Sequence, residues 1–135
     1  METIVRMNGF VGSDVDVQTT RTGRARARFR LASTPRFRRD DGQWAEQPTT
    51  WLSVSCWRTL AENVGRSIRK GEPVFVEGRL RTEEWTDAEG ERHENLVLEA
   101  FSVGHDLSLG TSVFQRQRHQ TSEAEADVAP EAEVA

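Results

Sequence analysis

Residues 25–31 alternate strictly between apolar side chains and arginine, and this period of two constrains the fold more than any other feature of the chain. The apolar positions are Ala25, Ala27, Phe29 and Leu31, and arginine occupies position 24 and every even position from 26 to 30. Successive side chains of a β-strand point to opposite faces of the sheet. The segment is therefore predicted to be a strand that turns one face to a core and a row of arginines to solvent.

Four further segments have the same period of two, and one segment between them has helical spacing. The other predicted strands are residues 3–11, 51–57, 73–85 and 96–103. A helix is predicted over residues 59–69, because apolar residues recur at positions 60, 64 and 68. Thr59 and Glu62 match a capping box at its start, and Gly71 is expected to cap its end.

This element order predicts the fold class. Five strands with one helix between the third and the fourth is the order of the OB-fold, a partly open five-stranded Greek-key barrel that commonly binds oligonucleotides. The chain is therefore expected to be an all-β domain over residues 1–110. The apolar pattern stops after it, so residues 111–135 are expected to form a disordered acidic tail.

The net charge of −4 belongs mainly to that tail. Residues 1–110 hold 16 basic and 17 acidic side chains, whereas residues 120–135 hold five acids and no base. The segment 21–39 contains eight arginines and no acid. Because local fields attract a polyanion, this segment matters more than the total charge.

Several classes of protein are disfavoured by simple counts. No apolar stretch is long enough to span a bilayer, and no secretory leader is recognisable, so a soluble, cytoplasmic protein is expected. The single cysteine, Cys56, cannot form an internal disulfide or a multi-cysteine zinc site. It is expected to be buried as a small apolar residue.

Catalytic chemistry finds little support in the sequence. His93, His105 and His119 lack metal-ligand spacing and are interpreted as solvated side chains. Ser53 and Ser55 lack a nucleophile context. The acid pairs at 40–41 and 83–84 are interpreted as solvated charge, with a two-metal nuclease as the alternative. No enzyme activity, metal or cofactor is expected.

Binding of single-stranded nucleic acid fits better, because it needs a basic groove and aromatic rings on which bases stack. The predicted stacking residues, at outward or loop positions near arginine, are Phe37, Trp51, Trp57 and Trp85. The predicted phosphate contacts are Arg24, Arg26, Arg28, Arg36, Arg38, Arg79 and Arg81. Alternatives stay open for each, since a tryptophan can be covered by a loop or a partner subunit, and a charged strand can simply protect an edge. Trp44 is undecided between stacking and packing, and Phe75 is assigned to a subunit interface.

The chain resembles the bacterial single-stranded DNA-binding protein family from about residue 3 to residue 109. The segments that carry the resemblance are FRLAST at 29–34, TTW at 49–51, RTLAENV at 58–64, RKGEPVFVEGRLRTEEW at 69–85 and DAEGER at 87–92. The resemblance implies base stacking by Phe37, Trp51, Trp57 and Trp85. It also implies a homotetramer that wraps and protects single-stranded DNA in replication, recombination or repair, without metal or cofactor.

Three departures from the family pattern modify this expectation. Glu83 and Glu84 stand where basic residues are common, and Leu52 stands where a histidine is common. The chain ends in APEAEVA, without the acidic-aromatic tip that recruits other enzymes, so such recruitment is expected to be weak or lost. These departures suggest a specialised paralogue. The alternative function is an OB-fold protein that binds other proteins and has weak or no DNA affinity.

Overall fold

The computed structural model describes residues 1–117, so most of the predicted tail and His119 lie outside the described residues. The elements, in chain order, are β1 Thr3–Val11, β2 Asp16–Thr19, β3 Ala25–Ser33, β4 Arg36–Arg38, β5 Trp44–Glu46, β6 Thr50–Trp57, α1 Arg58–Ser67, β7 Pro73–Thr86 and β8 Arg92–His105. No helix among residues 1–117 is long and apolar enough to cross a membrane.

The predicted OB-fold is confirmed: the five long strands close into one barrel. The strand order in the main sheet is β1-β7-β8-β6-β3-β2, and β1 also pairs with β3 through Phe10 and Ala32. All these neighbours are antiparallel except β6 and β8, which run parallel. Gly9 lies at the closure, where a Cβ atom would overlap the carbonyl oxygen of Ala32, so glycine is required for the two strands to approach.

The core fills the barrel from the inward face of each long strand and from one side of α1. The alternation that predicted β3 is confirmed, because Ala27, Phe29 and Leu31 are fully buried. Cys56 is buried too, as predicted, and desolvation raises its pKa to about 12. The helix contributes Ala61 and Val64.

The ends of the helix differ from the prediction. The helix begins at Arg58, directly after β6, and Trp57 occupies the N-cap without a side-chain hydrogen bond, so Thr59 and Glu62 form no capping box. Arg58 has a φ of 59°, in the left-handed region, because the chain turns sharply from strand to helix there. The C-cap is Ile68. Gly71, with a φ of 91°, lies in the following turn, where its N–H donates to the carbonyl of Val11.

Three short strands were not predicted. Strand β2 pairs with β3 at the edge of the main sheet, and β4 and β5 form a separate two-stranded hairpin within the segment predicted as a loop. Each is only three or four residues long, which is too short for a period of two to be recognised.

Candidate nucleic-acid interface

The outward side of strands β3, β6, β8 and β7 forms one continuous surface, which we name the polar face. It is built from residues that lie across from one another in register, as in the pairs Arg28–Ser55 and Arg30–Ser53. Its members on the described strands are Arg26, Arg28, Arg30, Trp51, Ser53, Ser55, Trp57, Arg79, Arg81, Glu83, Trp85, His93, Val97 and Glu99. Of these, Ser53, Ser55 and Val97 are buried beneath the surface. The structure thus collects on one surface three of the four predicted stacking residues and four of the seven predicted phosphate contacts.

Two tryptophans of the polar face have an arginine against the ring. The guanidinium of Arg24 lies 4.9 Å from the ring centroid of Trp57, and that of Arg30 lies 5.6 Å from the centroid of Trp51. A cation over an aromatic ring is attracted by the ring quadrupole, and this contact restrains the orientation of the indole. Trp51 keeps half of its surface exposed and Trp57 is half-buried.

The third tryptophan is stacked on a histidine. The rings of Trp85 and His93 lie directly across the β7–β8 ladder, with centroids 5.3 Å apart and an interplanar angle of 21°. His93 also hydrogen-bonds through Nε2 to the carboxylate of Asp87 at 2.7 Å, and that contact lowers the pKa of Asp87. Trp85 remains 47% exposed, so an outward surface of its indole is open.

Gly12 determines where the ring of Trp51 can lie. It stands in the turn after β1, and a Cβ atom there would overlap Cζ3 of the Trp51 indole. Its backbone N–H donates to the carbonyl of Arg30, the residue whose guanidinium covers the same ring. Trp51 is therefore positioned both by a glycine from outside its own strand and by an arginine of the neighbouring strand.

The arginines of β3 are less exposed than predicted. Arg26, Arg28 and Arg30 are half-buried, and polar partners on the same face hold the side chains of Arg28 and Arg30 against the sheet. Arg30 donates to Oγ of Ser53 at 2.9 Å, and Arg28 donates through Nε to Oγ of Ser55 at 3.2 Å.

Three of the predicted phosphate contacts are already in ion pairs. Arg28 meets Glu83 at 2.8 Å, with a second, longer contact of 3.5 Å, and this hydrogen bond lowers the pKa of Glu83. Arg81 lies 2.9 Å from Glu99, and Arg79 lies 2.8 Å from Glu2. A phosphate that binds these guanidinium groups must compete with a carboxylate.

The other predicted phosphate contacts are differently placed. Nε of Arg26 is buried and has no hydrogen-bond acceptor among residues 1–117. Arg24 and Arg36 lie over tryptophan rings, and Arg38 donates to the carbonyl of Gly42 at 3.4 Å.

Phe37, the fourth predicted stacking residue, lies apart from the polar face. It is the central residue of β4, pairs with Ala45 of β5, and is 43% exposed. Trp44 lies on the same hairpin and is 61% exposed, so it is not packed into the core. The hairpin that carries both residues could not be recognised from the sequence.

Two histidines differ from the solvated side chains that were expected. His93 is held between Trp85 and Asp87, and His105 contacts Glu72 at 3.0 Å and Oγ of Ser112 at 2.6 Å. Both are half-buried. For His93 the cause is strand pairing, since Trp85 lies across from it on the neighbouring strand β7.

Ligand atoms of Asp87, Glu91 and His93 lie within 4.8 Å of one another at the end of the β7–β8 hairpin. Their proximity follows from hydrogen bonds of the hairpin itself. The N–H groups of Glu89 and Glu91 donate to Oδ1 of Asp87, while Oδ2 is taken by His93. The carboxylate thus stabilises a turn.

Comparisons with protein families, individual proteins and solved structures all find single-stranded DNA-binding proteins. Residues 3–106 match the model of the single-strand binding protein family. The chain is 41% identical to the single-stranded DNA-binding protein 2 of Streptomyces avermitilis, over 97% of this chain and 81% of that protein. It is 38% identical to the single-stranded DNA-binding protein of Corynebacterium glutamicum, over 85% of this chain and 52% of that protein, so it spans about half the length of that relative. The crystal structure of a small single-stranded DNA-binding protein from Streptomyces coelicolor is similar with a TM-score of 0.70 and 31% identity, covering 81% of this chain and 98% of that one.

Proposed function

Because the chain belongs to the single-strand binding protein family, we propose that it binds single-stranded DNA without sequence specificity. The observation that carries the proposal is the polar face itself, on which tryptophan rings stand beside basic groups. Stacking on an aromatic ring does not depend on the identity of the base, because every base has a π-face. The selectivity proposed is therefore for unpaired strands.

The stacking residues in this proposal are Trp51, Trp57 and Trp85 on the polar face and Phe37 on the β4–β5 hairpin. An arginine covers part of the Trp51 and Trp57 rings and His93 covers part of the Trp85 ring, so the base uses the outward surface that remains. Each stack contributes about 1–3 kcal/mol. Restraint of the rings before binding reduces the entropy that is lost when a base docks.

The backbone of the strand is held by arginine in this proposal. The proposed contacts are Arg24, Arg26, Arg28, Arg36, Arg38, Arg79 and Arg81. Arg26 supports the assignment, because it forms no ion pair with a carboxylate of residues 1–117 and a phosphate has no carboxylate to displace there. Arg28, Arg79 and Arg81 contribute only after a phosphate displaces a carboxylate, which lowers the net gain at each of these sites.

We also propose that the protein acts as a homotetramer in the cytoplasm. The outward side of β1 and β7 supports assembly, since Phe10 and Phe75 are exposed on adjacent rungs of that ladder. Exposed aromatic side chains are enriched at subunit contacts. Residues 1–110 would form the binding domain and residues 111–135 a tail with little capacity to recruit replication or repair enzymes.

One observation favours a second candidate, a protein-binding paralogue with weak DNA affinity. Glu83 pairs with Arg28, and Glu84 lies 2.8 Å from Arg92, so two acids neutralise arginines near Trp85. Loss of net positive charge there would reduce the electrostatic part of DNA binding.

The experiment is a titration of the full chain with oligo-dT at low salt, followed by tryptophan fluorescence. Stacking should quench the emission, and double-stranded DNA of equal length should not. Trp51→Ala should weaken binding about 5- to 150-fold, as expected for one lost stack. The matched control is Val113→Ala, an exposed residue outside the polar face, which should bind as the wild type does.

If the protein shows neither quenching nor DNA binding at low salt, the proposal is refuted and the protein-binding paralogue is the remaining candidate. The same samples, incubated with magnesium, test the nuclease alternative, because strand loss on a denaturing gel would reveal it.

A further inference from the structure

Trp44 is the most exposed of the four tryptophans. It is 61% exposed, against 50% for Trp51 and 47% for Trp85, and Trp57 is half-buried. It opens strand β5 and lies across from Arg38 in the β4–β5 hairpin. The free energy of leaving an indole in water is unfavourable, so a ring this exposed on a short hairpin is expected to have a binding partner.

The surroundings of Trp44 repeat those of the tryptophans on the polar face. The guanidinium of Arg36 lies 5.6 Å from the ring centroid of Trp44, the same distance that separates Arg30 from Trp51. One arginine thus restrains each ring while the opposite surface remains open. The sequence does not reveal this contact, because Arg36 is eight residues away and only the hairpin brings the two together.

The register of the hairpin places Trp44 and Phe37 on opposite faces. Arg38 pairs with Trp44, Phe37 with Ala45, and Arg36 with Glu46. Because side chains alternate along a strand, Trp44 shares its face with Arg36, Arg38 and Glu46, whereas Phe37 shares the other face with Ala45. A nucleotide stacked on Phe37 therefore cannot stack on Trp44 at the same time.

We propose that Trp44, with Arg36 and Arg38, forms a further contact site for single-stranded nucleic acid, on the face of the hairpin opposite Phe37. The proposal rests on the proposed function of the chain. The strand would pass along one face of the hairpin at Phe37 and return along the other at Trp44, so that the hairpin is held between two segments of the bound strand.

The chemistry around Trp44 favours a nucleic acid over an apolar protein surface. Two of its three neighbours on this face are arginines, and no aliphatic side chain of the hairpin lies there. An apolar partner would have to desolvate both guanidinium groups, whereas a nucleotide provides a base for the ring and phosphates for the arginines. Glu46, which pairs with Arg36, offsets part of this positive charge.

The first test makes Trp44 the only tryptophan of the chain, so that the tryptophan emission reports on this residue alone. In the triple variant Trp51→Phe, Trp57→Phe and Trp85→Phe, the rings on the polar face remain aromatic and Trp44 is the remaining tryptophan. Titration with a long oligo-dT should quench its emission. A red-shifted, unquenched emission under saturating DNA, with binding confirmed by gel shift, would refute the proposal.

The second test compares Trp44→Ala, Trp44→Phe and Gln43→Ala in the full chain. Trp44→Ala should weaken binding of long oligo-dT about 5- to 150-fold, and Trp44→Phe should restore most of it. Gln43→Ala, an exposed substitution at the neighbouring position, should have no effect. The loss should be smaller on an oligonucleotide too short to reach both faces of the hairpin.

The outcomes separate this proposal from the proposed function. If the wild type binds and Trp51→Ala weakens it while Trp44→Ala does not, only the site at Trp44 is refuted. If Trp44→Ala changes the oligomeric state in sedimentation analysis and leaves DNA affinity unchanged, Trp44 is a subunit contact and the proposal is wrong. If the wild type does not bind DNA, both proposals fail together.

Discussion

The carboxylate of Glu83 on β7 lies 2.8 Å from the guanidinium of Arg28 on β3, and this pair spans the polar face between the tryptophans. The two residues are 55 positions apart in the chain. Both side chains are about 30% exposed, so water screens the pair only in part. Glu83 therefore opposes any phosphate that approaches Arg28.

Removal of this carboxylate should strengthen DNA binding. In Glu83→Gln, Arg28 is available to a phosphate, so affinity for oligo-dT should rise at low salt. The slope of log K against log salt should steepen by about 0.7 for one additional phosphate contact on a single strand. Fluorescence titrations at four or five salt concentrations measure both quantities.

The control for that prediction is Glu94→Gln. Glu94 lies across from Glu84, on the face of the β7–β8 hairpin opposite to Glu83. Its substitution therefore removes the same charge as Glu83→Gln but does not free Arg28. Equal gains in the two variants would mean that total charge, and not the Arg28–Glu83 pair, limits affinity.

The same pair should make stability depend on pH in the acid range. The hydrogen bond from Arg28 lowers the pKa of Glu83 below its ordinary value of 4.5, so the unfolded chain takes up this proton first as the pH falls. The stabilisation is fully present above pH 4.5 and is lost as the pH falls through the lowered pKa of the folded state. Urea unfolding of the wild type and Glu83→Gln should show a difference that shrinks from pH 6 to pH 3. A difference that stays constant over that range would contradict the assignment.

Substitution of Gly12 should displace Trp51. An alanine Cβ would overlap Cζ3 of the indole, and the ring can move more easily than the backbone. We expect Gly12→Ala to lower DNA affinity by up to the value of one stack, about 1–3 kcal/mol, and to change the near-ultraviolet circular dichroism. Gly104→Ala is the control, because an added Cβ there has no atom within 4 Å. Unchanged affinity in Gly12→Ala would mean that Trp51 tolerates a different orientation.

Cys56 should be unreactive in the folded protein. It is fully buried, and burial raises the pKa of its thiol to about 12, so the reactive thiolate is scarce at neutral pH. A thiol reagent such as dithionitrobenzoate should react only after denaturant is added. Rapid reaction of the native protein would show that β6 opens readily to solvent.

Much of the fold could be predicted from local pattern. The alternation over residues 25–31 predicted β3 and its buried face, and the five long strands and the helix lie close to their predicted positions. The errors lie where local signals are short or ambiguous. Strands β2, β4 and β5 are too brief to show a period, and the capping box at Thr59 was not formed because the chain turns into the helix one residue earlier.

The sequence by itself determined which side chains face outward, because alternation along a strand is a property of the backbone alone. Tertiary structure decided which of them meet. The pairs Arg28–Glu83 and Trp85–His93 each join different strands, Arg24 reaches Trp57 from the turn before β3, and the placement of Trp51 depends on a glycine after another strand. These contacts depend on register and barrel closure, which are set by packing of the whole core. For that reason a row of outward arginines in the sequence is, in the folded protein, a surface of arginines already engaged with carboxylates, hydroxyl groups and aromatic rings.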